Sequence, residues 1–237
     1  MKQKFIITSL VLAVVFILSV SFSVTAKDET KKQGEKSASK MFAYKPPMRG
    51  APGSRMGGGT RGEGEESFFL SVLVPSHTGF TTKYSPTLYW YLSKPVSKRI
   101  EFTLNDEELG ETLIRTEISA DRGGIQRLDL SDYKLGLSPK KEYSWFVTVI
   151  IDSEQPSKNI FSGGGIQYVE PSKALGEKLA GKTGTDIPLI YAQEGIWYDA
   201  LAELSQLIEG NPKDKTLYAQ RNSLINEIGL HEVAEFE

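Results

Sequence analysis

Leu137-Ser-Pro139-Lys-Lys-Glu-Tyr143-Ser-Trp145-Phe-Val147-Thr-Val149-Ile-Ile151 is the stretch that decides the fold. Tyr143, Trp145, Val147 and Val149 alternate, so they put one apolar face on a β-strand, the period-2 pattern of a half-buried sheet. Upstream, Leu137-x-Pro139-x-x-x-Tyr143 has the spacing of a tyrosine corner. In that motif a Tyr near the start of a strand bonds back to the loop before it, in sandwiches of immunoglobulin or fibronectin type.

Working outward, residues 67–171 read as about seven strands separated by turn signals, the rhythm of a sandwich. Candidates are Phe68–Val74, Thr87–Leu92, Arg99–Leu104, Thr112–Ile118, Gly124–Leu130, the opening stretch, and Ile160–Val169. Gly163-Gly-Gly165 suggests a bulge in the last of these. From Ser172 the period turns helical. Trp197, Ala200, Leu201, Leu204, Leu207 and Ile208 make one apolar stripe, which Gly210 and Asn211-Pro212 terminate. Leu217, Leu224, Ile225 and Ile228 predict a second helix. Tyr191, Ala200, Leu204, Leu207 and Pro212 have tetratricopeptide-like spacing, although Pro188 shortens the first helix of such a repeat. The predicted fold is mainly β with C-terminal α: an immunoglobulin- or fibronectin-like β-sandwich over 67–171, then a short TPR-like helical segment over 172–237.

The N-terminus reads differently. Lys2 and Lys4, the apolar run Phe5–Val20, and Val24-Thr-Ala26 form a secretory signal peptide over 1–26, cleaved after Ala26. The mature chain is expected to be exported, to the periplasm or beyond, with no further apolar segment long enough to span a bilayer. Residues 27–66 read as a flexible Gly/Pro/Arg-rich segment, or as an arm that docks on the sandwich. Its Arg-Gly tract could bind nucleic acid by charge, but export argues against that. Charge is zoned: net +3 over 27–66, neutral over 67–185, and net −7 over 186–237. The chain has no cysteine and two histidines, His77 and His231, which excludes disulfides, thiolate metal sites and His-rich metal sites.

Several motifs suggest chemistry that their context does not support. Gly176–Thr183 satisfies the Walker A pattern, but it lies where a helix is predicted and lacks the preceding strand a phosphate loop needs. Ser37-x-x-Lys40 with Lys182-Thr-Gly184 resembles penicillin-recognising serine enzymes, yet the serine lies in the polar tract. Asp106, Glu107 and Glu108 could pair as carboxylates do in glycosidases, though an acidic hairpin turn is the plainer reading. His77 reads as a loop histidine. Around Trp90 alternation sends Tyr89 and Tyr91 to the opposite face, so one aromatic set is core and the other is exposed or covered.

Together, Ala51–Gly62, Leu73-Val-Pro75, Pro86–Tyr91, Lys141–Trp145, Ile166–Pro171 and Tyr191–Leu201 resemble one family. It is the exported bacterial proteins grouped as domain of unknown function 928, mainly cyanobacterial. The resemblance covers roughly residues 46–231 and implies that the Gly-Thr-Arg stretch over 46–62 belongs to the fold. It also implies a setting among envelope and two-partner secretion genes, with no assigned activity. Members often carry cysteines after the Gly-Thr-Arg stretch, and this chain has none.

The expected function is a non-enzymatic binding or scaffold module at the cell envelope, with an envelope or secreted protein partner and no cofactor. Candidates for partner contact are Trp197, Tyr198 and Asp199 on the helical segment, and Trp90 and Tyr91 on the sandwich. A carbohydrate-binding module using the sheet aromatics, and an envelope hydrolase, are the alternatives.

Overall fold

The period-2 segments become strands with small shifts at their ends. The computed structural model describes residues 42–47, 55–61, 67–119 and 121–235. Its strands are β1 (Met56–Gly57), β2 (Gly59–Arg61), β3 (Phe68–Val72), β4 (Gly79–Thr81), β5 (Thr87–Leu92), β6 (Ile100–Asp106), β7 (Glu111–Ile118), β8 (Gly124–Asp129), β9 (Glu142–Val149) and β10 (Ile160–Tyr168). The helices follow: α1 (Lys173–Leu179), α2 (Asp186–Gln193), α3 (Trp197–Gly210), α4 (Lys215–Glu227) and α5 (His231–Glu235).

One sheet has the order β1-β10-β9-β6-β7, and the other β2-β3-β5-β8. β4 joins the first sheet by running parallel to β10. β3-β5-β8 facing β10-β9-β6-β7 is the Greek-key order of immunoglobulin-like sandwiches. The tyrosine corner is present: the Ser138 amide donates to the Tyr143 hydroxyl at 3.0 Å. Between the sheets, Leu70, Val72, Leu88, Leu92, Phe102, Leu104, Trp145 and Val147 are buried in one core.

Three expectations need correction. The β9–β10 ladder keeps an unbroken register through Gly163-Gly-Gly165, so these glycines are not a bulge. They make room instead: a Cβ on Gly164 would come 2.3 Å from the Val74 side chain.

Parts of the supposed flexible segment are ordered elements. Phe42 and Tyr44 are buried in the core, β1 pairs with β10, and β2 pairs with β3. Apolar content in 27–66 is too sparse for folding alone, but two aromatics suffice to anchor an arm on an existing core. Arg55 ties this arm across the molecule, donating to the carbonyls of Val74 and Ile228 at 3.2 and 3.0 Å.

The short TPR-like helical segment, finally, does not stand apart from the sandwich. α3 packs on β4 and β5, and its apolar stripe joins the sandwich core. With a sheet to cover that stripe, no neighbouring repeat is needed. The expected signal peptide over 1–26 lies outside the described residues, as do Ser37 and Lys40. Among the described residues no helix is long and apolar enough to cross a membrane.

Candidate functional site

The first turn of α3 is the junction on which sandwich and helices depend. A helix of period 3.6 starting at Trp197 sends consecutive side chains in three directions. All three directions lead inward here, because β4, β10 and the chain after Leu73 surround this end.

Trp197 is 0% exposed, and its indole N–H donates to the Leu73 carbonyl at 2.8 Å. Its ring also meets Tyr44 edge-on, with centroids 5.1 Å apart. Tyr198, 1% exposed, enters the space between the sheets. There its hydroxyl accepts from the Trp145 indole at 2.9 Å and donates to the Gly165 carbonyl at 2.9 Å. Burial pushes that phenol far above the ordinary tyrosine range. Gly79 lets the ring pass, since a Cβ there would lie 2.8 Å from it.

Asp199, also 1% exposed, accepts from the Thr81 hydroxyl at 2.7 Å, the Thr82 amide at 3.0 Å and the Thr82 hydroxyl at 2.5 Å. Burial raises its carboxyl above the usual range, and the threonine donors hold it back in part.

The predicted contact residues are therefore interior. Trp90 and Tyr91 are each 3% exposed. Trp90 lies on the core side of β5 with Leu88 and Leu92, while Tyr91 packs on Phe69 with centroids 6.0 Å apart. Alternation correctly separated the two faces, but both are covered. As placed, none of Trp197, Tyr198, Asp199, Trp90 or Tyr91 offers a ring or carboxylate to a partner at the surface.

A cleft of about 340 Å³ opens beside Asp199, between α3 and the segment from β4 to β5 with the end of β8. Lys83, Thr87, Tyr89, Arg127, Asp129 and Glu203 are among its walls. Ions pair across it. Arg127 donates through Nη1 to both carboxylate oxygens of Glu209 at 2.7 Å, and Lys83 lies 3.8 Å from Glu203. Thr87 donates to Asp129 at its rim. The Tyr89 phenol is pushed up to about 12, chiefly by burial and against the pull of Arg127. Sequence reasoning missed this cleft, because its walls come from three separate elements with no shared spacing.

The remaining ionisable candidates have structural partners. The Asp106 carboxylate accepts from the Glu108 and Leu109 amides at 3.0 and 3.1 Å and meets Lys141 at 3.2 Å. Burial opposes its ionisation, yet the Leu109 amide and Lys141 bring the carboxyl below its usual range. Glu107 accepts from Ser144, and Glu108 lies 3.4 Å from Lys141. His77 Nε2 and the Tyr44 hydroxyl are 2.9 Å apart, and burial lowers the imidazole's pKa. His231 pairs with Asn226 on the helical side. Gly176 lies inside α1, so Gly176–Thr183 does not form a phosphate loop. Among the described residues no group of three or more His, Cys, Asp or Glu side chains could hold a metal ion.

A two-sheet sandwich completed by an inserted helix defines the class of protein. The family model for Domain of Unknown Function (DUF928) matches residues 56–237, and the chain belongs to that family. The match begins at β1, so the Gly-Thr-Arg stretch from Met56 onward is part of the family unit. Among solved structures, the chain is similar to a DUF3244 family protein with an immunoglobulin-like β-sandwich fold from Bacteroides vulgatus ATCC 8482. That similarity has 12% identity and a TM-score of 0.25, covering 47% of this chain and 95% of the other. Likeness at that level adds nothing to the strand order described above. No curated protein matches the chain.

Proposed function

We propose that this protein is an exported, non-enzymatic binding or scaffold module of the bacterial cell envelope, working beside secretion components, and that it grips a protein partner at the α3 cleft. The observation that carries the reading is the cleft itself, a polar recess of about 340 Å³ at a rigid junction. Its cations are already matched by Glu203, Glu209 and Asp129, so the approaching segment meets surplus carboxylate and hydroxyl groups. The helical region carries a net −7 over residues 186–237, which steers a basic partner toward it. The structural partners of both histidines and of the Asp106–Glu108 trio support a non-catalytic role.

Crosslinked capture from an envelope fraction tests this, using the mature protein, a Glu203→Lys/Glu209→Lys variant, and Glu154→Lys on the far β9–β10 loop as control. A partner retained by the parent and the control but lost by the double variant supports the reading. Equal capture by all three removes the cleft from it, and no capture by the parent refutes the scaffold role.

A second reading, carbohydrate binding, has one observation in its favour. Tyr84 is 65% exposed with its ring over Gly136, leaving the other face of the ring open to stack on a sugar. Retention on a polysaccharide gel that disappears with Tyr84→Ala would favour it.

A further inference from the structure

The strand order of the larger sheet ends at β7, an edge of eight residues, Glu111-Thr-Leu-Ile-Arg-Thr-Glu-Ile118. Edges of this length are usually broken by proline, bulges or covering elements, because they present a template for another strand. Here the irregularity in the β6–β7 ladder lies at Leu104/Asn105, toward the turn, and Ile114–Ile118 stay in regular register. The pairing Thr103↔Arg115 and Glu101↔Glu117 puts Arg115 and Glu117 on the solvent face. Leu104↔Ile114 and Ile100↔Ile118 put the two isoleucines on the core side.

We propose that β7 is a self-association edge: two copies of this chain join their larger sheets by antiparallel β7–β7 pairing, with Thr116 on the two-fold axis. In that register Arg115 stands opposite Glu117 of the second copy, and the converse pair forms at the other side of the axis. Ile114 likewise stands opposite Ile118 of the second copy, so both faces of the joint match.

Neighbouring registers are excluded by the same residues. Centring on Arg115 opposes two arginines, and centring on Glu117 opposes two glutamates. Centring on Ile114 sets Glu117 against Glu111. Centring on Leu113 pairs Glu111 with Arg115 but puts the axis on the irregular part of the strand. A shift by a single residue between strands turns core faces to solvent.

The isolated chain also carries a charge conflict that this contact relieves. Glu117 lies directly opposite Glu101 across β6–β7, and opposed like charges destabilise a sheet. Arg115 is 3.5 Å from Glu101 but 64% exposed, so its guanidinium has donors left for a second carboxylate. A joint of this kind is smaller than the ~1,200–2,000 Å² of a standard interface. The expected association is therefore weak, in the micromolar range or above, and it needs concentrated protein to be seen.

The chain has no cysteine, so a single introduced thiol reports the register. In the Thr116→Cys variant the two thiols would face each other across the axis, with Cβ atoms ~4.5–5.5 Å apart. In Leu113→Cys they would be about 20 Å apart along the paired strands. Mild oxidation of concentrated protein should link Thr116→Cys into a dimer at least tenfold faster than Leu113→Cys. In sedimentation experiments, Arg115→Glu and Glu117→Arg should each weaken association at least tenfold, and the double exchange should restore it. Equal linkage of the two cysteine variants, or no linkage of either, overturns the proposal. So does a parent chain that stays monomeric across the concentration range. The cysteine pair decides the matter even where a charge reversal harms folding, because both of its sites are on the exposed edge strand.

Discussion

Replacing Tyr198 by Phe removes one oxygen atom and two buried hydrogen bonds. The Trp145 indole N–H loses its acceptor, and the Gly165 carbonyl loses one of its two donors, both 2.9 Å from the hydroxyl, while the parallel β4–β10 ladder leaves it the Gly79 amide. The unsatisfied indole costs about 1–3 kcal/mol and the lost second bond to the carbonyl about 0.5–1.5, so the change should cost about 2–4 kcal/mol. For a chain of this size that corresponds to a fall in Tm of about 4–15 °C. Denaturant titration followed by tryptophan fluorescence should show the midpoint move with an unchanged slope, since the same surface is exposed on unfolding. Tyr143→Phe is the matched control. It also removes a phenol hydroxyl, but its partner is the amide of exposed Ser138, which water can satisfy, so about 1 kcal/mol is expected. A Tyr198→Phe loss below about 0.5 kcal/mol, the range of ordinary surface substitutions, would refute the buried network.

Further outcomes follow from the same junction. Asp199 has a folded pKa raised by burial, so its contribution to stability is full below about 3.9 and is lost as pH rises through the folded value. The stability difference between the parent and Asp199→Asn should grow from pH 7 toward pH 4, as read by denaturation at each pH. The His77 pKa is lowered by burial, which gives the opposite sign. Stability present above about 6.5 should fall as pH drops through the folded pKa, because burial beside Tyr44 disfavours the charged imidazolium. Since Tyr44 packs on Trp197, an acid titration of tryptophan fluorescence should report this step, and His77→Gln should lack it. A chain ending near Asp186 loses Trp197, Tyr198, Leu201 and Leu204 from the core. It should bind a hydrophobic dye and lack cooperative unfolding, so point variants are the proper probes of the helical region.

The sandwich could be read from the sequence because each strand declares itself locally. Tyr143, Trp145, Val147 and Val149 alternate, and the corner spacing fixes where their strand begins. The three-residue strand β4 gives too short a pattern to recognise, and β1 and β2 lie in a tract with too few apolar residues to suggest a sheet. The apolar stripe of α3 was legible, but periodicity tells only that a face is covered and not what covers it. That gap explains the misplacement of Trp197, Tyr198 and Asp199. A tyrosine and an aspartate beside a helical tryptophan look like surface chemistry until strands distant in sequence supply Gly165 and Thr81 as partners. The cleft was invisible for the same reason, since Lys83, Arg127 and Glu203 meet only in three dimensions.

The Tyr198 peg also sets the order in which the molecule can finish folding. Trp145 waits 53 residues for the hydroxyl that satisfies it, and the Leu73 carbonyl waits 124 residues for Trp197. A chain delivered N-terminus first, from a ribosome or through a membrane pore, cannot seal its sandwich until α3 has arrived. We expect such a chain to stay threadable through most of its passage and to lock in one late step, when α3 reaches Trp145 and Leu73.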